Sequence, residues 1–425
     1  MTFSLPNTDS LYGLSEIELE QVRRYADLLI GHGLNVQGGQ LVNLASEPVH
    51  RGFLRMLQEA SYARNAKFVD ISLVDPLFDR GRILRSLDAD LSFVPGYIPA
   101  KYHELVESGA CNLRLIGSEC PQALAGLPAD RVNQMRMGQR LALKDFYHRG
   151  IGCSMVQWCV AAASTPAWAK EVLPDVPEEE ACRELWRHIL SICRADQEDC
   201  LGAWKKHNDL LISRAKRLTE LKIETLHFRG PGTDLKVGLT DLAIFKGGQE
   251  PSSRGIPFEP NIPTEEVFTT PDYRRTEGHV KATRPFFVNG VLVKDLKMEF
   301  KGGVLVSFTA TSGEDSFRSY IASDPGASRL GEVALVGVDS PVFRSGVVFN
   351  EILFDENAAC HIAVGSAYRF CIEGGKEMTD EQAEAIGCNE SSAHTDMMIS
   401  DESVDVEAKT YKGETITLIQ GGKWV

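Results

Sequence analysis

The sequence lacks the marks of secreted and membrane-spanning proteins. Its amino terminus has no basic segment followed by an apolar one, and no run of 18 apolar residues occurs in the 425 residues. Its ten cysteines are scattered without a CxxC pair, which favours free, buried thiols over a disulfide framework or a zinc ribbon. We therefore expect a soluble, cytoplasmic protein with no membrane partner.

A surplus of positive charge is also missing. The chain has 45 Lys and Arg residues against 59 Asp and Glu residues, a formal net charge of -14. Neutralising nucleic-acid phosphates needs clustered Lys and Arg, so this balance argues against nucleic-acid binding. The remaining composition, 43% hydrophobic and 24% charged, is that of a globular protein, and the length predicts two domains.

The first half of the chain alternates helices and strands. A capping box of Ser15 and Glu18 opens the first helix. Short apolar runs predict strands over residues 41–44, 68–74, 113–116 and 155–162, with helical stretches between them, notably 131–148. Strands separated in this way predict an open, mainly parallel sheet with helices on both faces. The first two strands lead into neither GxGxxG nor GxxxxGK[ST], so we interpret this half as a structural domain that fences the substrate.

The second half has a different pattern. A long amphipathic helix over 199–221 precedes it, so the predicted domains are 1–222 and 223–425. From Glu224 the apolar residues alternate in short segments broken by Gly, Pro and Asp. Hairpins are predicted around Asn289-Gly290 and Gly302-Gly303. The predicted fold class is an N-terminal α/β domain followed by a C-terminal, mostly antiparallel β domain that carries the chemistry.

Five residues of the second half have the composition of a two-metal hydrolase centre. Two imidazoles with three carboxylates suit zinc, cobalt or manganese, and two such ions about 3.5–4 Å apart can activate water and polarise a carbonyl. A His-x-Asp on a strand gives the strongest local signal, since the pleat points both side chains to one face. The five residues are Glu266, Glu332, His361, His394 and Asp396.

The carboxylates also have ordinary interpretations. Glu265 and Glu266 are adjacent, so their side chains diverge and both are not expected to bind one ion. One can be a ligand while its neighbour acts as a general base or lies in solvent. Glu332 stands at the mouth of an apolar strand, where a charge needs a partner. A salt bridge to Arg329 or Arg344 would satisfy it as well as a metal ion.

The two histidines also have more than one interpretation. His361 follows a polar stretch and has small neighbours, which fits a satisfied core histidine or a ligand. We interpret Cys360 beside it as a packing residue, with a soft ligand or a redox switch as the alternative. His394 and Asp396 could instead form a hydrogen-bonded surface pair. Tyr368, seven positions after His361, could donate a hydrogen bond to an oxyanion.

Four stretches around these residues resemble the metal-dependent aminopeptidases of the aminopeptidase T and aminopeptidase S type. They are NIPTEEVFTTPD, LGEVALV, NEILFDENAACHIAVGSAY and SSAHTDMMI, and YADLLIGHGLNVQGGQ extends the resemblance into the first half. The resemblance covers nearly the whole chain. It implies two divalent ions per subunit (Zn, Co, Mn or Mg), Tyr368 as a further site residue, Asp396 as the bridging carboxylate, and as ligands Glu266, Glu332, His361, His394 and Asp396.

The resemblance also implies the reaction and the partners. It implies removal of amino-terminal residues from peptides, with broad tolerance of side chains, in a homodimer that encloses the site. The mechanism that we predict is attack by a hydroxide that bridges the two ions. We predict that Glu265 moves the proton and that Tyr368 stabilises the tetrahedral intermediate. Arg369 stands where the resemblance predicts proline or a small residue, which bears on substrate preference and not on metal binding.

Two other classes of function stay open. A metal-dependent amide hydrolase acting on a non-peptide small molecule would keep the ligands and change the cavity. A non-catalytic binding protein would lack a ligand, and none of the five is missing. The identity of the physiological metal is not determined by these donors, because they accept several ions.

Overall fold

A computed structural model describes residues 9–288 and 290–425 of the chain. Among the described helices, none combines the length and the apolar character that crossing a membrane requires. In chain order the helices are α1 (Glu16–Leu28), α2 (Arg51–Ala63), α3 (Pro76–Arg85), α4 (Tyr97–Ser108), α5 (Ala129–Ala142), α6 (Pro166–Val172), α7 (Glu178–Ile192), α8 (Cys200–Glu220), α9 (Glu314–Ile321), α10 (Pro341–Arg344), α11 (Ile352–Asp355) and α12 (Asp380–Ala385).

The strands are numbered in the same way. They are β1 (Leu41–Ser46), β2 (Phe68–Leu73), β3 (Cys111–Ile116), β4 (Gln157–Ala162), β5 (Ile223–Gly230), β6 (Thr233–Gly238), β7 (Glu250–Pro251), β8 (Pro257–Phe258), β9 (Asn261–Ile262), β10 (Val267–Thr269), β11 (Thr276–Lys281), β12 (Phe286–Val288), β13 (Val291–Val293), β14 (Lys297–Lys301), β15 (Val304–Thr309), β16 (Leu330–Leu335), β17 (His361–Gly365), β18 (His394–Met398), β19 (Asp405–Thr410), β20 (Thr415–Gln420) and β21 (Lys423–Trp424).

The described residues form two compact units. The first is the chain up to Lys205 together with Gln249–Pro263, and the second is Lys206–Gly248 together with Thr264–Val425. This division differs from the expected 1–222 and 223–425 in two respects. The change of unit falls inside α8, where an unbroken helical pattern shows no boundary, and a later segment belongs to the first unit.

The first unit contains a five-stranded sheet in the order β2-β1-β3-β4-β9, and every pairing in it is parallel. Helices connect β1 to β2, β2 to β3 and β3 to β4, as the sequence predicts. The capping box of Ser15 and Glu18 is present at the start of α1. Tyr25, Phe53 and Trp186 are fully buried and pack ring against ring. The helix predicted over 131–148 ends earlier, with α5, and π-helical turns follow it over Phe146–Gly152.

The second unit is built mainly from two antiparallel sheets. One has eight strands in the order β15-β14-β11-β6-β5-β19-β20-β21, and the other has four in the order β10-β16-β17-β18. The hairpin predicted at Gly302-Gly303 joins β14 to β15. Strands β12 and β13 pair as predicted, although Asn289 of their turn lies outside the described residues. The predicted fold class is confirmed, and the ten cysteines are free thiols, eight of them buried.

His50 gives the first unit a stability that depends on pH. It is fully buried after β1, its Nδ1 lies 2.8 Å from Oγ of Ser46, and burial lowers its pKa from 6.5 to about 4. The unfolded chain takes up a proton near the higher pKa, but the folded chain takes it up only near the lower one. The free energy of unfolding therefore falls as the pH drops through this window. The full change is about 3 kcal/mol.

We expect the free energy of unfolding of the His50→Gln variant to decrease less than that of the wild type as the pH drops. The difference should be about 2 kcal/mol between roughly pH 6.5 and pH 4.5. Denaturant unfolding followed by tryptophan fluorescence is a suitable measurement, because four of the five tryptophans lie in the first unit. Equal pH dependence in both proteins would show that His50 titrates alike in the folded and unfolded chains.

Candidate metal centre

The four-stranded sheet of the second unit has one apolar face and one face rich in donor side chains. Side chains alternate along each strand, so every second residue shares a face. The apolar face belongs to the hydrophobic core through Val267, Val333, Ile362 and Met397. The strand register places on the other face Glu332 and Ala334 of β16, His361 and Ala363 of β17, and His394 and Asp396 of β18.

Two groups of donors converge on this face. The ligand atoms of Glu266, Glu332 and His361 lie within 4.8 Å of one another, and so do those of Glu332, His394 and Asp396. Nε2 of His361 is 3.0 Å from Oε2 of Glu266 and 4.0 Å from Oε1 of Glu332. Nε2 of His394 is 3.3 Å from Oε2 of Glu332 and 3.7 Å from Oδ1 of Asp396. All five candidate ligands therefore come together, and Glu332 belongs to both groups.

The two imidazoles present Nε2 to the carboxylates. Nδ1 of His361 is 3.2 Å from the carbonyl oxygen of Ala359, and Nδ1 of His394 is 2.9 Å from that of Ser366. A carbonyl oxygen only accepts, so each Nδ1–H donates, and when the ring is neutral its lone pair is on Nε2. A backbone acceptor that fixes the ring in this tautomer is the usual support of a metal-binding histidine.

The carboxylates of the two groups fit a divalent cation. Glu266, Glu332 and Asp396 are buried, at 7%, 4% and 7% exposure. Oε2 of Glu266 and Oδ1 of Asp396 accept no hydrogen bond from the described residues. Buried carboxylate oxygens without a hydrogen bond are costly unless another positive partner satisfies them. The donor set and its burial are therefore those of a metal centre.

Burial and the clustered carboxylates shift the pKa values in the site. Burial and the carboxylates of Asp396 and Glu266 raise the pKa of Glu332 to about 7. Burial lowers the pKa of His394, but Asp396 and Glu332 outweigh this and raise it to about 9. The shifts show how much negative charge is concentrated here, which is the electrostatic setting that favours a bound cation.

Tyr368 lies beside the second donor group. Its Oη is 3.2 Å from Nε2 of His394. Its backbone is fixed by Thr270, whose hydroxyl accepts from the amide of Tyr368 and donates to its carbonyl. Burial and the surrounding carboxylates raise the pKa of the phenol well above its ordinary value. The side chain therefore keeps its proton and can donate a hydrogen bond.

Glu265 belongs to neither donor group. Its Oε2 lies 3.6 Å from Nε2 of His207 on α8, and its backbone amide donates to Oδ1 of Asn357 at 2.6 Å. Because adjacent side chains diverge, Glu266 reaches the donor groups while Glu265 lies beside the helix.

A fourth carboxylate, that of Glu356, was not predicted from the sequence. It is 8% exposed and lies in a single 3-10 turn before β17. Burial, followed by the charges of Glu266 and Asp396, raises its pKa well above the ordinary value, and His361 and Glu332 also act on it. The signal available in the sequence was the acidic pair Asp355-Glu356 in the polar stretch that precedes His361.

The surroundings of three residues bear on the interpretations that the sequence left open. Among the described residues, the nitrogens within ion-pair distance of Glu332 belong to imidazoles, while the guanidinium of Arg329 lies 4.8 Å from the ring centre of Tyr273. Cys360 is a core residue whose thiol donates to the carbonyl of Val336 at 3.3 Å. Arg369 pairs with Asp380, so its charge is neutralised outside the donor groups.

Comparison with known proteins places the chain in a family. Residues 18–424 match the family described as Thermophilic metalloprotease (M29). The chain belongs to this family. The M29 chain is 39% identical to Aminopeptidase T of Thermus aquaticus over 407 residues, which are 96% of this chain and 98% of that protein. It is 36% identical to Aminopeptidase PepS of Streptococcus thermophilus over the same shares of the two chains.

A solved structure agrees with this assignment. The structure titled "Wild-type AmpT from Thermus thermophilus" matches the M29 chain with a TM-score of 0.89 at 36% identity, over 95% of this chain and 99% of that one. The resemblance seen in the sequence is thus confirmed, and the chain is a metalloprotease.

Proposed function

We propose that this M29 metalloprotease removes amino-terminal residues from peptides with two divalent ions held by the two donor groups. Its family and its relatives named as aminopeptidases make it a metalloaminopeptidase. The observation that carries the two-ion proposal is the sharing of Glu332 between two three-residue groups. A homodimer, which the resemblance implies, and the cytoplasmic location expected from the sequence stay predictions.

Each ion has its own set of ligands in this proposal. Glu266 and His361 complete one set and His394 and Asp396 the other, with Glu332 in both. This revises the expectation that Asp396 is the bridge, because Asp396 belongs to one group only. Zinc, cobalt, manganese and magnesium all remain candidates. When bound, two such ions supply Lewis acidity, which acidifies water and polarises the scissile carbonyl.

The protein's own groups place the substrate and move the proton. Oη of Tyr368 donates a hydrogen bond to the carbonyl oxygen as it becomes an oxyanion. Of the two carboxylates not assigned as ligands, we favour Glu356 over Glu265, because Glu356 is buried in a turn that packs against β18, the strand of His394 and Asp396, whereas Glu265 lies near His207 of α8. One of its oxygens takes a proton from the attacking water and gives it to the leaving nitrogen. A C–O bond forms, and the peptide C–N bond breaks.

Metal analysis with chelation and add-back tests the proposed function. We expect two divalent ions per subunit, loss of leucyl-p-nitroanilide hydrolysis after chelation, and recovery when the metal is restored. N-acetyl-leucyl-p-nitroanilide should resist cleavage, because it has no free amine. Cleavage of the blocked compound would instead support a general amide hydrolase, and a single ion per subunit would contradict the shared role of Glu332.

A further inference from the structure

Three aromatic side chains cluster beside the second donor group. We name Phe268, Tyr368 and Phe370 the aromatic wall. Tyr368 and Phe370 are stacked, with ring centres 5.1 Å apart and planes inclined by 26°. Phe268 meets Tyr368 edge-on at 5.8 Å and Phe370 at 6.3 Å. The ring of Tyr368 is also 5.2 Å from the imidazole of His394, so the wall begins at a candidate ligand.

The strand register places Phe268 on the donor face of the sheet. On β10, Val267 belongs to the hydrophobic core, so its neighbours Glu266 and Phe268 project to the opposite side. Phe268 pairs with Ala334 of β16, and Ala334 pairs with His361 of β17. Only a methyl side chain therefore separates Phe268 from a candidate ligand along this row of the sheet.

The two phenylalanines are not packed as core residues are. Phe268 and Phe370 are both partly exposed, whereas Phe228 and Phe300 of the same unit are fully buried. Neither belongs to the core cluster of described residues in this unit. The exposure of aromatic surface to water is unfavourable, and its burial under another apolar group is favourable. Next to a catalytic centre, part of the substrate can be that group.

The covalent structure of an amino-terminal residue shows that the part of the substrate next to the wall is its side chain. The carbon that bears its side chain is bonded both to the free amine and to the scissile carbonyl, so the side chain lies next to the reacting atoms. Tyr368 contacts both regions, because its hydroxyl lies at the donors and its ring forms the centre of the wall. The charge of the intervening Arg369 is paired with Asp380, which leaves the wall apolar.

We propose that the aromatic wall receives the side chain of the substrate's first residue and that Phe268 and Phe370 select large apolar side chains. This inference rests on the proposed aminopeptidase function. Phe268 and Phe370 act on specificity, while Tyr368 also takes part in the chemistry.

The ratio of kcat/KM for leucyl- to glycyl-p-nitroanilide measures the contribution of the wall. The wild-type protein should favour the leucyl substrate, and Phe268→Ala or Phe370→Ala should lower the ratio about tenfold. Phe370→Leu, which keeps most of the apolar volume, should lower it less and guards against misfolding of the alanine variant. Phe308→Ala is the matched control, since Phe308 is also partly exposed and meets Phe317 edge-on at 5.2 Å, but lies on β15. Its ratio should equal that of the wild type.

Two results would overturn the inference, and they differ from each other. If the phenylalanine variants lose the same factor on both substrates, the rings merely support Tyr368 and the wall does not select side chains. If the metal-loaded wild-type protein hydrolyses none of the aminoacyl substrates, the aminopeptidase function fails and the wall's assignment fails with it.

Discussion

Glu332→Gln should deprive the chain of both ions and of its turnover. Glutamine keeps the shape of the side chain but removes the negative charge that both donor groups share. Since a bound ion contributes several kcal/mol to stabilising the transition state, we expect kcat/KM to fall by about 10³-fold or more. Elemental analysis of the purified variant and hydrolysis of leucyl-p-nitroanilide measure the two effects.

Variants of the other ligands and a surface control make this result specific. Asp396→Asn should weaken one ion and leave the other, because Asp396 belongs to one group. Glu299→Gln applies the same chemical change on β14 of the same unit, where Glu299 pairs with Lys301, and should leave metal content and turnover unchanged. A Glu332→Gln protein that still held two ions tightly would show that this carboxylate is not shared.

Glu356→Gln should have the second largest effect, through turnover and not through metal. The residue is buried in a turn that packs against β18 and is not among the ligands of the donor groups, so the variant should keep its ions. Loss of a proton-transfer group typically costs about 10²–10⁴-fold in rate. The measurement is kcat with metal content determined on the same preparation.

Glu265→Gln is the comparison that decides between the two acids. Its carboxylate lies near His207 of α8, so we expect a loss of less than about tenfold, the effect of a changed neighbour and not of a lost base. If Glu265→Gln abolished turnover while Glu356→Gln did not, the assignment made from the sequence would be restored.

The sheets could be predicted from the sequence where their strands have a clear apolar pattern. Strands β1 to β4 are apolar runs separated by helices, and the second unit alternates with period two, so both layers could be predicted. Strand β9 could not, because Asn261–Ile262 is too short for a pattern and gains its identity only by pairing with β4. The change of unit inside α8 likewise depends on tertiary packing.

The candidate site likewise has a part that could be predicted from the sequence and a part that could not. His394 and Asp396 were assigned to one face because the pleat requires it, whatever the rest of the fold does. The sharing of Glu332 depends on which strand lies between the others, and on a register shift between Leu330 and Glu332, neither of which the sequence expresses. Glu356 was missed because a single 3-10 turn has no periodicity from which burial can be predicted.

Strand β9 completes its sheet late in the synthesis of the protein. The carboxyl end of β4 and the start of β9 are about 100 residues apart in the chain. At roughly 5–20 residues per second, a ribosome needs about 5–20 s to make the intervening segment. During that time β9 is not available to pair with β4, and an unpaired strand edge can pair with the strands of other chains.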